Sequence, residues 1–330
     1  MYRTDAAPKD DAAPKDTGAT SAVNPLAATL DLLGDRLTLA LLGHAFVSGA
    51  TRFNRWLELT GAPSSVLSDR LNALTEAGVL ERSPQSEGSD RHDYLLTELG
   101  RATWPILVCI WGWQREWTAE GAWQPDLVHD PCGHRGPAIV RCGTCHAPVT
   151  AHETDIDMDA EAVWTVTSGA RRRSKRGPAR GAADEDIQFN AVMEALGDRW
   201  SGAITGLALA GTRRFARFRS ALDISPTTLT DRLGRLCEAR ILERPDDSGR
   251  EYRLTHRGRA LFGVFVFLIR WSVLAFPQIP GPLRVRHLTC GNLLIPELQC
   301  RGCDGPVDPV SARLEPIAPP PRSVAATPRS

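Results

Sequence analysis

Six of the eight cysteines fall into two sets of identical spacing, His129-x2-Cys132-x9-Cys142-x2-Cys145 and His287-x2-Cys290-x9-Cys300-x2-Cys303. A Cys-x2-Cys turn brings two thiolates within reach of one cation. One imidazole and three thiolates complete a tetrahedron of soft donors, the preference of Zn2+. Each set is therefore expected to close one site within its own small ribbon, giving two zinc ions per chain. Four protein donors leave no open position, so both sites are expected to be structural. His134 and His146 are rival donors in the first set, but their counterparts are Asn292 and Asp304, so both read as surface histidines. Cys109 and Cys237 lie on apolar helix faces and read as core residues.

Catalytic chemistry finds little support. There is no Gly-rich phosphate loop, no nucleophile elbow and no paired-carboxylate set, and a hydrolytic zinc would need the open position these sets lack. The chain reads as a non-enzyme.

The elements that carry the cysteine sets repeat. Leu32-Leu-Gly-Asp-Arg36 recurs as Ala195-Leu-Gly-Asp-Arg199, and Thr51-Arg-Phe53 as Arg213-Arg-Phe215. Ser68-Asp-Arg-Leu71 recurs as Thr230-Asp-Arg-Leu233, Leu80-Glu-Arg82 as Leu242-Glu-Arg244, and Leu96-Thr97…Gly100-Arg-Ala102 as Leu254-Thr255…Gly258-Arg-Ala260. Retained order over such a span marks a duplication. Each copy reads as helical segments (25–46 and 187–209), a short amphipathic helix beginning near Arg52 or Arg214, a turn, and a second helix. Ser225 and Pro226 supply an N-cap and a first helical residue, with Pro63-Ser64 playing that part in copy one. Leu67, Leu71 and Leu74, like Leu229, Leu233 and Leu236, stand at i, i+4, i+7 and form one buried stripe. Two short strands around a polar loop then form a hairpin, and a long apolar helix closes each copy at 98–117 and 256–275. The fold class is mainly α (α+β). Its parts are a disordered 1–23, copy one at 24–118, a ribbon at 119–150, a basic flexible linker at 151–185 containing Arg171-Arg-Arg-Ser-Lys-Arg176, copy two at 186–278, a ribbon at 279–312 and a disordered tail at 313–330.

This order of elements, with Leu-Gly-Asp-Arg-Trp200, the Arg-Phe segment, Leu-Thr-Asp-Arg-Leu233 and the Leu-Glu-Arg…Tyr-x-Leu-Thr hairpin, resembles the HxlR family of bacterial winged-helix regulators over about 24–118 and 187–276. The resemblance implies a sequence-specific transcriptional regulator, with repression its expected mode. The second helix of each turn motif would enter the major groove of double-stranded DNA and the hairpin would form the wing. Two departures stand out. The thiol-sensing cysteine of some relatives is replaced by Asn24 and Ile187, and the tryptophan kept as Trp200 is Leu37 in copy one.

Arginines and hydroxyls near a helix start suit base edges and phosphates. Expected DNA contacts are Ser65 and Arg70 in copy one, and Thr227, Thr228, Arg232 and Arg235 in copy two. Arg52 and Arg91 are further expected DNA contacts, and Arg214, Arg250 and Arg253 are expected against phosphates. Asp69 and Asp231 are expected to orient neighbouring arginines. Over 24–118 there are 8 basic and 11 acidic residues, and over 186–278 there are 14 and 10. Since phosphate neutralisation supplies much of the affinity, copy two is expected to carry more of the binding. The acidic balance of copy one keeps an alternative in play, a winged-helix scaffold for protein partners.

The whole chain of 330 residues balances 39 basic against 39 acidic residues, so net charge announces no partner. No signal-peptide pattern opens it, and the apolar stretch 260–276 contains Arg270 and is short for a membrane span. A cytoplasmic protein with reduced cysteines is expected; an effector, if any, is not named by the sequence. The closing helices carry Trp104, Trp111, Trp113 and Trp117 in one copy and Phe262, Phe265, Phe267 and Trp271 in the other, faces that need a cover. A tether of some 35 residues favours pairing within the chain, as an intramolecular pseudo-dimer, over a homodimer. Light scattering at micromolar concentration is expected to return a mass near 36.0 kDa, and a concentration-independent mass near twice that would refute the pairing.

Overall fold

The computed structural model describes residues 24–85, 91–118, 125–158, 190–244, 251–279 and 283–315. The N-terminal repeat, the basic run at 171–176, Ile187, Arg250 and the tail from 316 lie outside these.

In the first copy, α1 (Pro25–Leu33), α2 (Arg36–Ser48), α3 (Phe53–Thr60) and α4 (Ser64–Glu76) precede a hairpin of β1 (Leu80–Pro84) and β2 (His92–Leu96), then α5 (Glu98–Arg101) and α6 (Trp104–Trp117). The small strands β3 (Asp126–His129), β4 (His134–Arg135), β5 (Ile139–Cys142) and β6 (Thr154–Met158) follow. The second copy repeats this as α7 (Asn190–Leu196), α8 (Arg199–Leu209), α9 (Phe215–Leu222), α10 (Pro226–Glu238), β7 (Leu242–Glu243), β8 (Arg253–Leu254), α11 (His256–Arg259) and α12 (Phe262–Ala275). It ends in β9 (Leu283–His287), β10 (Pro296–Gln299) and β11 (Ala312–Glu315).

The repeated Gly-Asp pair is a helix junction. Gly34 ends α1, and Asp35 caps α2 by accepting from Thr38 N at 3.0 Å. Asp198 does the same for α8, accepting from Trp200 N at 3.0 Å and Ser201 N at 3.1 Å. Ser225 caps α10 as its sequence predicts, through Thr228 N at 3.2 Å, while α4 begins at Pro63 without a side-chain cap. Asn24 is a buried N-cap for α1, its side-chain oxygen accepting from Leu26 N and Ala27 N. The leucine stripes of α4 and α10 are wholly buried. Arg52 and Arg214 each make one further antiparallel bridge, to Asp93 and Glu251, which ties the start of α3 or α9 to its wing. Gly258 and Gly100 answer a close approach. A Cβ there would stand about 2 Å from the Ile241 or Val79 carbonyl, so the turn into α11 or α5 admits no side chain.

Three readings are corrected. The single closing helices expected at 98–117 and 256–275 are each two helices. Thr97 and Thr255 cap a four-residue helix, and the longer one starts afresh at Trp104, beside Pro105, and at Phe262. The linker expected from 151 opens with a 3-10 turn and the paired strand β6, and the tail expected from 313 contains most of β11. Both strands owe their order to partners in the opposite half: β6 pairs with β9 and β11 with β3.

The two halves are interleaved about a pseudo-two-fold axis. At its centre β5 and β10 run antiparallel with Val140 opposite its own repeat counterpart, Leu298. The pairings Ala312↔His129 and Thr154↔His287 are equivalent under the same exchange. So are two indole hydrogen bonds, Trp113 Nε1 to the Arg257 carbonyl at 2.9 Å and Trp271 Nε1 to the Leu99 carbonyl at 3.0 Å. Helix α12 packs on α1 and α6 with Phe262, Phe265, Phe267 and Trp271 buried. Among the described residues one segment, His256–Ala275, is long and apolar enough to cross a membrane, and here it packs as a core element of the fold.

Gly34 lies where the halves touch backbone to backbone. A Cβ would stand 2.4 Å from the Leu30 carbonyl oxygen and 2.5 Å from that of Leu196. Neither atom can move without shifting a helix end. Gly34→Ala is expected to cost about 1–3 kcal/mol, read as a lowered urea midpoint.

Candidate metal centres and nucleic-acid interface

The eight predicted ligands form two clusters, but not the two their spacing implies. His129 and Cys132 meet Cys300 and Cys303, while His287 and Cys290 meet Cys142 and Cys145, with the donor atoms of each group all within 4.8 Å of one another. The expectation that each ribbon closes its own site is overturned. The physical reason is the strand exchange: β5 pairs with β10, carrying each Cys-x2-Cys turn across to the opposite His-x2-Cys pair.

In the first cluster the Cys132 and Cys300 sulfurs are 3.7 Å apart, and His129 Nδ1 lies 3.2 Å from Cys132 Sγ and 3.3 Å from Cys303 Sγ. In the second, Cys142 and Cys290 are 4.0 Å apart, and His287 Nδ1 lies 3.3 Å from Cys145 Sγ and 3.5 Å from Cys290 Sγ. A tetrahedral ion with metal–sulfur bonds of about 2.3 Å separates its sulfurs by about 3.8 Å and nitrogen from sulfur by about 3.5 Å. The residues present fit such an ion without rearrangement. His129 has its second nitrogen, Nε2, 3.1 Å from the Pro306 carbonyl, which orients the ring.

Charge points the same way. Burial would push the Cys142 thiol up, but backbone N–H groups of Cys145 and Thr144, with His287, bring it down to about 6. The Gly305 N–H lowers Cys303. A backbone N–H favours ionised Cys132 and Cys145 too, yet burial and neighbouring sulfurs push both above the ordinary thiol range. Crowded thiols cannot all ionise without a cation among them. Cys109 is different: burial alone raises it to about 12, and burial also raises Cys237. Neither joins a cluster, in keeping with a packing role. His146 is exposed and His134 half-buried, both outside the clusters.

On the helix-turn-helix faces the side chains expected at DNA differ in exposure and in their contacts within the protein. Arg70 turns back to Asp35 at 3.1 Å and Arg232 to Asp198 at 3.4 Å. Each is about three-quarters buried, and each ties the second helix of its motif to the cap of α2 or α8. Thr228 is half-buried with its hydroxyl 2.8 Å from Ser225 Oγ, so it serves the helix start. Ser65 on α4, and Thr227 and Arg235 on α10, are exposed, and so is Val66 beside Ser65. Asp231 holds Arg235 at 3.3 Å, the orienting part its sequence position predicts. Arg52, Arg91, Arg214 and Arg253 are exposed around the wings, with Arg214 and Arg253 sharing Glu251 at 3.5 and 3.2 Å. Sequence reasoning missed Thr230 on α10 and Arg213, Arg217 and Arg219 at α9, all exposed. The cluster of Arg213, Arg214, Arg217 and Arg219 within seven residues was the available signal.

The HxlR-like helix-turn-helix family model matches residues 32–122 and 195–279, more than half of the chain. The protein belongs to the HxlR-like helix-turn-helix family and carries its domain twice. An uncharacterised HTH-type transcriptional regulator of Mycobacterium tuberculosis is 37% identical over 124 residues, 37% of this chain and 77% of the relative. The uncharacterised HTH-type transcriptional regulator YvaP of Bacillus subtilis is 36% identical over 89 residues, 27% of this chain and 82% of the relative. The crystal structure of PA1607, described as a candidate transcription factor, matches 41% of this chain and 94% of its own at 33% identity, with a TM-score of 0.36.

With the clusters loaded, thiol reagents under native conditions should reach few cysteines, since six of eight would be ligands. Chelation is expected to release metal and expose six more reactive thiols, counted by a colorimetric thiol titration. An unchanged count would show the clusters carry no ion.

Proposed function

We propose that this chain is a DNA-binding transcriptional regulator that reads two unlike half-sites as a single-chain pseudo-dimer, with repression its mode of action and the cytoplasm its location. The observation that carries the reading is that each half presents an exposed face on the second helix of its turn motif beside an arginine-bearing first helix and a wing. Family membership and regulators among the relatives support it. The two copies are unequal. Arg213, Arg219, Arg235 and Arg253 stand where copy one has Thr51, Leu57, Ala73 and Leu95. With Arg70 turned inward, α4 offers Ser65, exposed Val66 and Asp69. Copy two therefore supplies most of the phosphate neutralisation, and copy one mainly register.

Zinc is the ion the clusters favour, because a nitrogen with three sulfurs in a tetrahedron suits it above harder cations. Bound there it would fix the ribbons and perform no chemistry. The proposed domain limits follow the elements: winged-helix units at 24–118 and 190–279, with one composite ribbon built from 125–158 and 283–315.

Selection of bound duplexes from random DNA, followed by mobility shifts, tests the reading. Arg235→Ala is expected to cost about 1–3 kcal/mol and relax specificity at one position. Arg217→Ala is expected to weaken all sequences alike and reduce the salt slope by about 1. Arg55→Ala, at the equivalent place in copy one, should do less. Failure to enrich any duplex would sink the proposal.

A further inference from the structure

We infer that the two metal clusters are clamps between the halves, and that a soft divalent cation of zinc's type holds the two reading heads in register. The DNA part of this inference rests on the function proposed above; the clamp itself does not. Each cluster takes a His-x2-Cys pair from one half and a Cys-x2-Cys pair from the other, so neither half owns a complete donor set. Half of each set is therefore two ligands, too few to close a tetrahedron, and a bound ion must bridge the halves.

The geometry connects these clamps to the DNA-facing helices. From Cys300 and Cys303 the chain runs on to β11, which pairs with β3 beside His129 and packs on α2 of the opposite half. Helix α2 begins at Asp35, the residue that holds Arg70 and with it α4. On the other side β10 packs on α12, which crosses α6 and α1 at the interface of the halves. Asp198 holds Arg232 and α10 as Asp35 holds α4. An ion in each cluster thus fixes the ribbon, the ribbon fixes α2 and α12, and these set the spacing of α4 and α10. Loss of the ions loosens the ribbon and with it the register of the two heads, while the shared helical core of α1, α6 and α12 and the buried leucine stripes stay packed.

Crossed double substitutions separate shared from private sites. The full chain purified under reducing conditions with zinc is expected to hold two ions. Cys132→Ser with Cys303→Ser damages one shared cluster only, so one ion remains. Cys132→Ser with Cys145→Ser damages both, so none remains. The reverse pattern means each ribbon closes its own site and overturns the clamp, as does a wild-type chain that binds no zinc. Far-ultraviolet circular dichroism checks that the helices persist in both variants. Where they do not, chelation of the wild-type chain supplies the metal-free state. For the coupling, zinc-loaded and chelated protein are compared on a selected two-half-site duplex and on one half-site alone. Chelation is expected to weaken the first at least tenfold and the second less than twofold. Equal effects on both, or none, overturn the coupling. A wild-type chain that shifts no duplex defeats the DNA reading instead, and the ion counts still decide the clamp.

Discussion

Neither half of this protein is closed without the other. Helices α6 and α12 are apolar nearly all round, and a face of that kind is stable only against another. The same holds for the strands beyond them. Strands β3, β5 and β6 each find their partner among β9, β10 and β11, so each half alone would leave open edges that bind other chains. Mutual completion, more than any single contact, decides where every other element sits.

Within each half, one carboxylate does two jobs. Asp35 and Asp198 accept the free N–H groups at a helix start and also receive an arginine from the second helix of the turn motif. A cap alone would have fixed one helix, and an exposed ion pair alone would have contributed little. Combined and half-buried, they lock two helices at one angle. The repeated Asp-Arg-Leu segment is explained by this tether, and so is its retention in a copy whose outer face has become acidic and apolar.

Much of this was legible in the sequence because duplication supplied an internal comparison. The leucine stripe at i, i+4, i+7, the Ser225 cap and the wing hairpins followed from local periodicity and local chemistry. The breaks at Gly34 and Ala102 were less visible, since apolar periodicity runs through both. The metal donors were identifiable by type and spacing, but their grouping was not. Cys-x2-Cys spacing constrains two thiols within a turn, whereas the nine residues between the pairs allow either pair to face elsewhere. Only the strand exchange at Val140 and Leu298 decides it. The ion pairs of Arg70 and Arg232 and the hydroxyl contact of Thr228 were hidden for a related reason. Helical spacing says which face a side chain leaves from, and not that a carboxylate from another helix waits beside it.

The pairing of β3 with β11 sets an order of events during synthesis. His129 emerges long before Ala312, its partner across the sheet. At translation rates of about 5–20 residues per second, α6 waits on the order of ten seconds for α12. Throughout that interval the nascent chain shows the ribosome's surroundings an uncovered row of tryptophans and a half-built cysteine cage. Contacts so distant in sequence are slow to close even after release. A chain that stopped between the two copies would hold α6 and the strands β3, β5 and β6 without the partners that the second copy supplies.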